Sequence, residues 1–144
     1  MLHDCDANPG LVTRKLAPKA SAVSLAFDCA KKVINNKNCF VNGNPIRPKF
    51  KTLSKIEARN NLKLVDKMTV CIMGGSQGAR AINDAAVEIL QTLTQKYDVQ
   101  VIFQTGKRNF ERVIEQLIKI YPEYEADKNL IVRPYFDDMV TVLK

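Results

Sequence analysis

Five mostly apolar residues, Thr69-Val70-Cys71-Ile72-Met73, run straight into Gly74-Gly75-Ser76-Gln77-Gly78-Ala79-Arg80. No other stretch limits the possible folds so tightly. The run before the glycines is short and β-branched, as a buried strand requires. After them, Ile82, Ala85, Ala86, Ile89 and Leu93 recur at the spacing of one helix face. A glycine-rich turn therefore joins a strand to a helix that runs from about Ala79 to Lys96.

The pattern repeats downstream. Val99 to Phe103 reads as a second strand, and Phe110, Val113, Ile114 and Leu117 mark a second amphipathic helix, ended by Pro122. Leu130-Ile131-Val132 starts a third strand that reaches Tyr135, and Asp137 is placed as the N-cap of a last helix. Strands and helices that alternate at this spacing form a parallel sheet with right-handed crossovers. Ligands of such sheets bind beyond the carboxyl ends of the strands. Here those ends are the glycine turn, Gln104-Thr105-Gly106 and Pro134-Tyr135-Phe136.

Upstream signals are weaker. His3 to Gly10 is rich in turn formers and reads as a loop. Leu11 to Ala17 can make a helix that stops near Pro18. Ala22 to Phe27 alternates, which puts Val23, Leu25 and Phe27 on one face of a strand. Asp28 can cap a brief helix through Ile34, and Cys39-Phe40-Val41 is a short strand. Residues 46–54, with Pro48, several lysines and few apolar side chains, suit a linker. A helix follows over Lys55 to Leu62. Three parts are expected: 1–45, the tail of one α/β domain; 46–66, the linker and first helix; and 67–144, the first part of a second domain. Too few strands to close a core and a short last helix suggest a fragment.

The glycine turn has a chemical reading and a bland one. The first turn of a helix leaves backbone N–H groups unpartnered, and the macrodipole places about half a positive charge there. Glycines let a ligand approach the backbone, Ser76 adds a hydroxyl, and Arg80 adds a fork of donors, a set that suits a phosphate or diphosphate. Alternatively, the glycines only allow the strand to turn sharply into the helix. Neither common phosphate motif is present. No Lys-Ser or Lys-Thr completes a P-loop. No acid ends the strand at Phe103-Gln104, as a dinucleotide site would require.

The charge is uneven. Residues 1–66 hold 12 Lys and Arg against 5 Asp and Glu, whereas residues 67–144 hold 10 of each. A basic first half admits nucleic acid, anionic lipid or phosphorylated substrates, or merely a solvated surface. The basic residues form no compact run and have no stacking aromatics beside them, which argues against nucleic acid. Cys5, Cys29, Cys39 and Cys71 are irregularly spaced and only one histidine is present, so neither a zinc site nor any other metal site is expected. The cysteines read as free thiols of a reducing cytoplasm, with Cys71 buried in its strand. No apolar run approaches the ~20 residues that span a bilayer. The N-terminus lacks the charged and apolar regions of a signal peptide.

Four segments resemble the MurG family of UDP-N-acetylglucosamine transferases. They are Gly43-Asn44-Pro45-Ile46-Arg47, Gly74 to Asn83, Gln104-Thr105-Gly106 and Phe136-Asp137-Asp138-Met139, in the family's order. Pro9-Gly10-Leu11 fits as well, and the likeness runs from His3 to the end of the chain. It implies an α/β, GT-B-type glycosyltransferase fragment with Rossmann-like parallel sheets and flanking helices, whose active site lies in a cleft between two domains. It implies transfer of N-acetylglucosamine from its UDP derivative to lipid I, the undecaprenyl-diphosphate-linked muramyl-pentapeptide. The product is lipid II for peptidoglycan. The work is done at the cytoplasmic face of an anionic membrane, without a cofactor.

By the same resemblance, Ser76 and the backbone around Gly75 face the UDP diphosphate, with Gln77 beside them. Arg47 helps to hold the donor nucleotide, and the backbone at Phe136 lies against the uracil. Asp6 stands where the family usually has Asn. An ionised Asp accepts hydrogen bonds but cannot donate them, and it adds negative charge, so donor binding should weaken unless Asn8 takes the role. The family's N-terminal glycine-rich loop, which carries the proposed catalytic base, has no counterpart here. The chain alone is therefore expected to be inactive and to bind UDP weakly at best. The alternative is a non-catalytic nucleotide-sugar-binding or scaffold module.

Overall fold

A computed structural model describes residues 1–144. They divide into two compact units, Met1–Arg47 and Pro48–Lys144. Each unit carries its own three-stranded parallel sheet.

In the first unit the order is β1 (Leu2–Asp4), α1 (Leu11–Leu16), β2 (Val23–Leu25) and β3 (Cys39–Val41), and the strands lie side by side in that order. 3₁₀ segments follow α1, at Ala17–Lys19, and β2, at Asp28–Val33. The small core is Ala17, Val23, Leu25, Ala30 and Ile34. β1 corrects the expectation of a loop over His3 to Gly10. Three residues pair in register with β2, from Leu2 with Val23 to Asp4 with Leu25. The neighbouring strand supplies what local propensity lacks. Val23 and Leu25 are fully buried, but Phe27 is 46% exposed, because β2 stops two residues earlier and the alternation ends with it. Asp28 sits inside the 3₁₀ turn, and the cap position is Phe27.

The second unit contains α2 (Lys49–Thr52), α3 (Lys55–Asn61), β4 (Thr69–Met73), α4 (Arg80–Gln91), β5 (Gln100–Gln104), α5 (Phe110–Ile120), β6 (Leu130–Arg133) and α6 (Met139–Leu143). β5 lies between β4 and β6, and all five of its residues are buried. Its alternation fixes two cores. Val101 and Phe103 pack with Ala86, Val87 and Leu90 of α4 and with Val113 and Leu117 of α5. Ile102 packs on the other side with Leu64, Phe136 and Val142. Gln100 and Gln104 share the parity of Ile102.

The stretch whose composition suits a linker contains α2. The α2 residue Lys49 pairs with Asp138 at 2.5 Å, and Lys144 donates to the Phe50 carbonyl at 2.9 Å. α3 opens on a capping box in which the Ser54 hydroxyl accepts from the Glu57 amide and the Glu57 carboxylate accepts from the Ser54 amide. The long helix expected through Lys96 stays α-helical only to Gln91. Thr92–Lys96 winds as a π turn, where the buried Thr94 hydroxyl donates to the Leu90 carbonyl at 3.2 Å. The last helix is capped by Asp138, not Asp137, through the Thr141 amide.

Candidate functional site

The end of β4, the end of β5 and the segment after β6 are knitted together by backbone and amide contacts. A Cβ on Gly78 would stand 1.9 Å from the Thr105 carbonyl oxygen, and one on Gly106 would stand 2.2 Å from the Gln77 carbonyl oxygen. The two turns therefore interlock, and a side chain at either position would force them apart. Asn109 Nδ2 donates to the Gln77 carbonyl at 3.0 Å, and the fully buried Asn83 donates through Nδ2 to the Thr105 carbonyl at 2.8 Å. Gly74 is needed as well, because its Cβ would meet the Ala79 amide nitrogen at 2.3 Å. Gly75 differs from these three. Its φ is +78°, and a Cβ there would meet nothing within 4 Å.

Sequence reasoning left the turn's glycines between ligand approach and a sharp turn from strand to helix. Gly74, Gly78 and Gly106 serve packing inside the chain, and Gly75 alone faces open space. Packing therefore accounts for three of these glycines, and Gly75 is the one that leaves room for a ligand. Ser76 and Gln77 are exposed beside Gly75. Gln77 is held by its carbonyl, so its side chain is the part left free.

α4 begins directly behind this turn. Ala79 occupies its cap position without a capping side chain, and its first turn has no acidic residue. The first amides of the helix thus keep their unneutralised partial positive charge. Arg80 is exposed and lies 3.9 Å from Asp84, whereas Arg112 pairs with Asp84 at 2.5 Å. The Arg112 hydrogen bond, first among several causes, holds the Asp84 carboxyl below its usual range. More positive charge lines the same sheet end: Lys107 lies over the Tyr135 ring at 5.4 Å and Arg133 over Phe136 at 5.2 Å. Positive charge therefore collects at this edge, around the uncapped start of α4. No group of three His, Cys, Asp or Glu side chains comes together to hold a metal ion.

In sequence Gln104 stood out as a strand end and as part of a motif; its side chain links two of the segments. It is 2% exposed, its Nε2 donates to the Gly75 carbonyl at 3.2 Å, and its Oε1 accepts from the Phe136 amide at 2.9 Å. A polar residue at the end of an otherwise apolar central strand was the available signal. Phe136 is buried, and its amide is committed to Gln104.

Gly75, Ser76, Gln77 and Phe136 thus gather at one end of the second sheet. Asp6 and Arg47 belong to the first unit. Asp6 follows β1, is exposed, and donates its amide to the buried Asp4 carboxylate at 3.0 Å. The Asp4 carboxylate also accepts from the Gly10 amide at 3.2 Å, and hydrogen bonding, first from Thr13, lowers its pKa. Asn8 is engaged by Arg14, which leaves it less free to stand in for Asp6. Arg47 is exposed, at the end of the segment after β3. In that segment Asn44 Nδ2 reaches the Cys5 carbonyl at 3.4 Å.

The profile of the glycosyltransferase family 28 C-terminal domain matches residues 69–144. A curated relative from Desulforamulus reducens is 31% identical over 141 residues, 96% of this chain and 38% of that protein. Another, from Caldanaerobacter subterraneus, is 33% identical over 141 residues, with the same two shares. Both are named UDP-N-acetylglucosamine--N-acetylmuramyl-(pentapeptide) pyrophosphoryl-undecaprenol N-acetylglucosamine transferase. The chain thus spans less than two-fifths of the length of these relatives. The crystal structure of Acinetobacter baumannii MurG matches 96% of this chain and 35% of its own, with a TM-score of 0.54 and 23% identity. That likeness shows a common fold, the α/β GT-B type.

Proposed function

Because the chain belongs to glycosyltransferase family 28, matching the C-terminal domain of that family, we propose that it carries the donor-binding part of an N-acetylglucosamine transferase. The donor is UDP-N-acetylglucosamine and the acceptor is lipid I. The single observation that carries the reading is the uncapped opening of α4 behind the open, positive-φ Gly75. When the sugar leaves the donor, the bond from its anomeric carbon to the diphosphate oxygen breaks, and the electron pair stays on UDP. Aligned amides and a helix N-terminus aimed at that growing charge lower the barrier more than fixed contacts to the uncharged sugar would.

In this assignment Ser76, with the backbone around Gly75 and with Gln77 beside them, binds the diphosphate. The backbone at Phe136 lies against the uracil. Arg47 adds a cationic fork to the nucleotide. Asp6, where the family usually has Asn, would favour a donor diphosphate less than Asn, because an ionised Asp cannot donate a hydrogen bond. No helix is long and apolar enough to cross a membrane. An acceptor with an undecaprenyl chain places the reaction at a lipid surface, and the basic first half of the chain suits an anionic one on the cytoplasmic face.

Calorimetric titration of the folded chain with UDP-N-acetylglucosamine and with UDP tests this. Saturable binding, weakened roughly tenfold by Ser76→Ala or Arg47→Ala, is the expected result. A folded chain that binds neither ligand rejects the donor-site reading and leaves the scaffold reading in its place.

A further inference from the structure

We propose that Gln104 is a positioning residue that aims two separate backbone groups at the ligand through one buried amide; the inference rests on the donor-site reading above. Its side chain is almost wholly buried, and both ends are engaged, Nε2 to the Gly75 carbonyl and Oε1 to the Phe136 amide. That pattern fixes the orientation of the amide. Turned over, it would set oxygen against carbonyl and NH₂ against N–H.

Peptide geometry carries the effect outward. Every peptide bond in the chain is trans, so the C=O and N–H of one peptide unit point in opposite directions. The Gly75 carbonyl points inward, to Gln104 and to the Gly78 amide at 3.3 Å. The Ser76 N–H, in the same peptide unit, therefore points away from the sheet end. The Phe136 N–H points inward to Gln104, so the Tyr135 carbonyl, in its peptide unit, points away as well. One side chain thus presents an outward donor, suited to a phosphate oxygen, and an outward acceptor, suited to the N–H of a pyrimidine ring. Gly75 makes the first orientation possible, since its φ of +78° is strained for any residue with a Cβ. A nucleoside diphosphate with a pyrimidine base is the ligand class that uses both groups together.

The test compares Gln104→Glu with Gln104→Met in the full chain, using uridine and UDP as probes. Glu keeps the acceptor for the Phe136 amide and removes the donor to Gly75. Gln104→Glu should therefore leave uridine binding within about twofold and weaken UDP binding roughly tenfold. Gln104→Met should weaken both. Amide hydrogen exchange gives a readout that needs no ligand: protection of the Phe136 amide should survive in the Glu variant and fall in the Met variant. Equal losses of uridine and UDP binding in the Glu variant would overturn the inference, as would unchanged Phe136 protection in the Met variant. Should the Met variant not fold, Gln104→Glu alone still decides between the selective and the uniform loss. A wild-type chain that binds neither probe overturns the donor-site reading and the ligand part of this inference with it. The exchange result would stand apart from that outcome.

Discussion

Gly78 packs so closely against Thr105 that a Cβ on it would stand 1.9 Å from the Thr105 carbonyl oxygen, while a Cβ on Gly75, three residues earlier, would meet nothing within 4 Å. The two glycines share a positive φ, +75° and +78°, and differ in their surroundings. Gly78→Ala must both strain the backbone and part the two turns, and should cost about 3 kcal/mol or more. Gly75→Ala meets only the backbone strain, about 1–2 kcal/mol. Urea denaturation of the two variants checks the ranking. Gly75→Ala should nevertheless lose more nucleotide affinity than stability, because its methyl group enters the space assigned to the ligand.

Asn83 is fully buried and anchors the Thr105 carbonyl at 2.8 Å from the first turns of α4. Its own Oδ1 has no partner. Asn83→Ala leaves the Thr105 carbonyl without this donor and should cost about 1–3 kcal/mol. Asn83→Asp should be worse, since it sets a carboxylate oxygen against that carbonyl. Thermal denaturation at neutral pH distinguishes the two.

Asp138 titrates low. The hydrogen bond from Lys49, then that from Thr141, brings its carboxyl down to about 2 from an ordinary value of 3.8. A depressed folded value means that the stabilisation is complete above the unfolded pKa and disappears as pH falls through the folded one. The window is therefore about pH 4 down to pH 2. Asp138→Asn should flatten the fall of the urea midpoint across that window and leave its slope at pH 6–8 unchanged. A wild-type slope retained in the variant would assign the acid sensitivity to other carboxylates.

Phe103 and Phe27 test the two cores of the chain against each other. Phe103 is fully buried between α4 and α5, and its truncation to Ala should cost about 3–5 kcal/mol. Phe27 is 46% exposed, and Phe27→Ala should stay within about 0.5 kcal/mol. Both residues end runs that read as strands, Ala22 to Phe27 and Val99 to Phe103, so the denaturation midpoints separate periodicity from actual burial.

The second unit was far more legible than the first. β4, β5, α5 and β6 were readable because each follows one clean period and ends on a glycine, a proline or a polar pair. β1 was not, because three residues among turn formers become a strand only when β2 lies beside them. α2 was hidden by lysines and prolines, and its contacts to Asp138 and Lys144 come from far along the chain. At the site, the glycine turn stood out, but the separate duties of its glycines did not. Gly78 and Gly106 are constrained by each other's neighbours, a relation that no local spacing encodes. Gln104 was visible as a word in a motif, and its function required knowing what lay at both ends of its amide.

The two-sided burial of β5 has a further result. Sliding this strand by one position would send Phe103 toward α6 and Ile102 toward α4, and would also turn Gln104 away from Gly75 and Phe136. Misalignment of the interior and disassembly of the ligand-facing edge are therefore the same event. A molecule that has folded with its hydrophobic residues in place has, by that fact, already proofread the geometry at which the proposed nucleotide would dock.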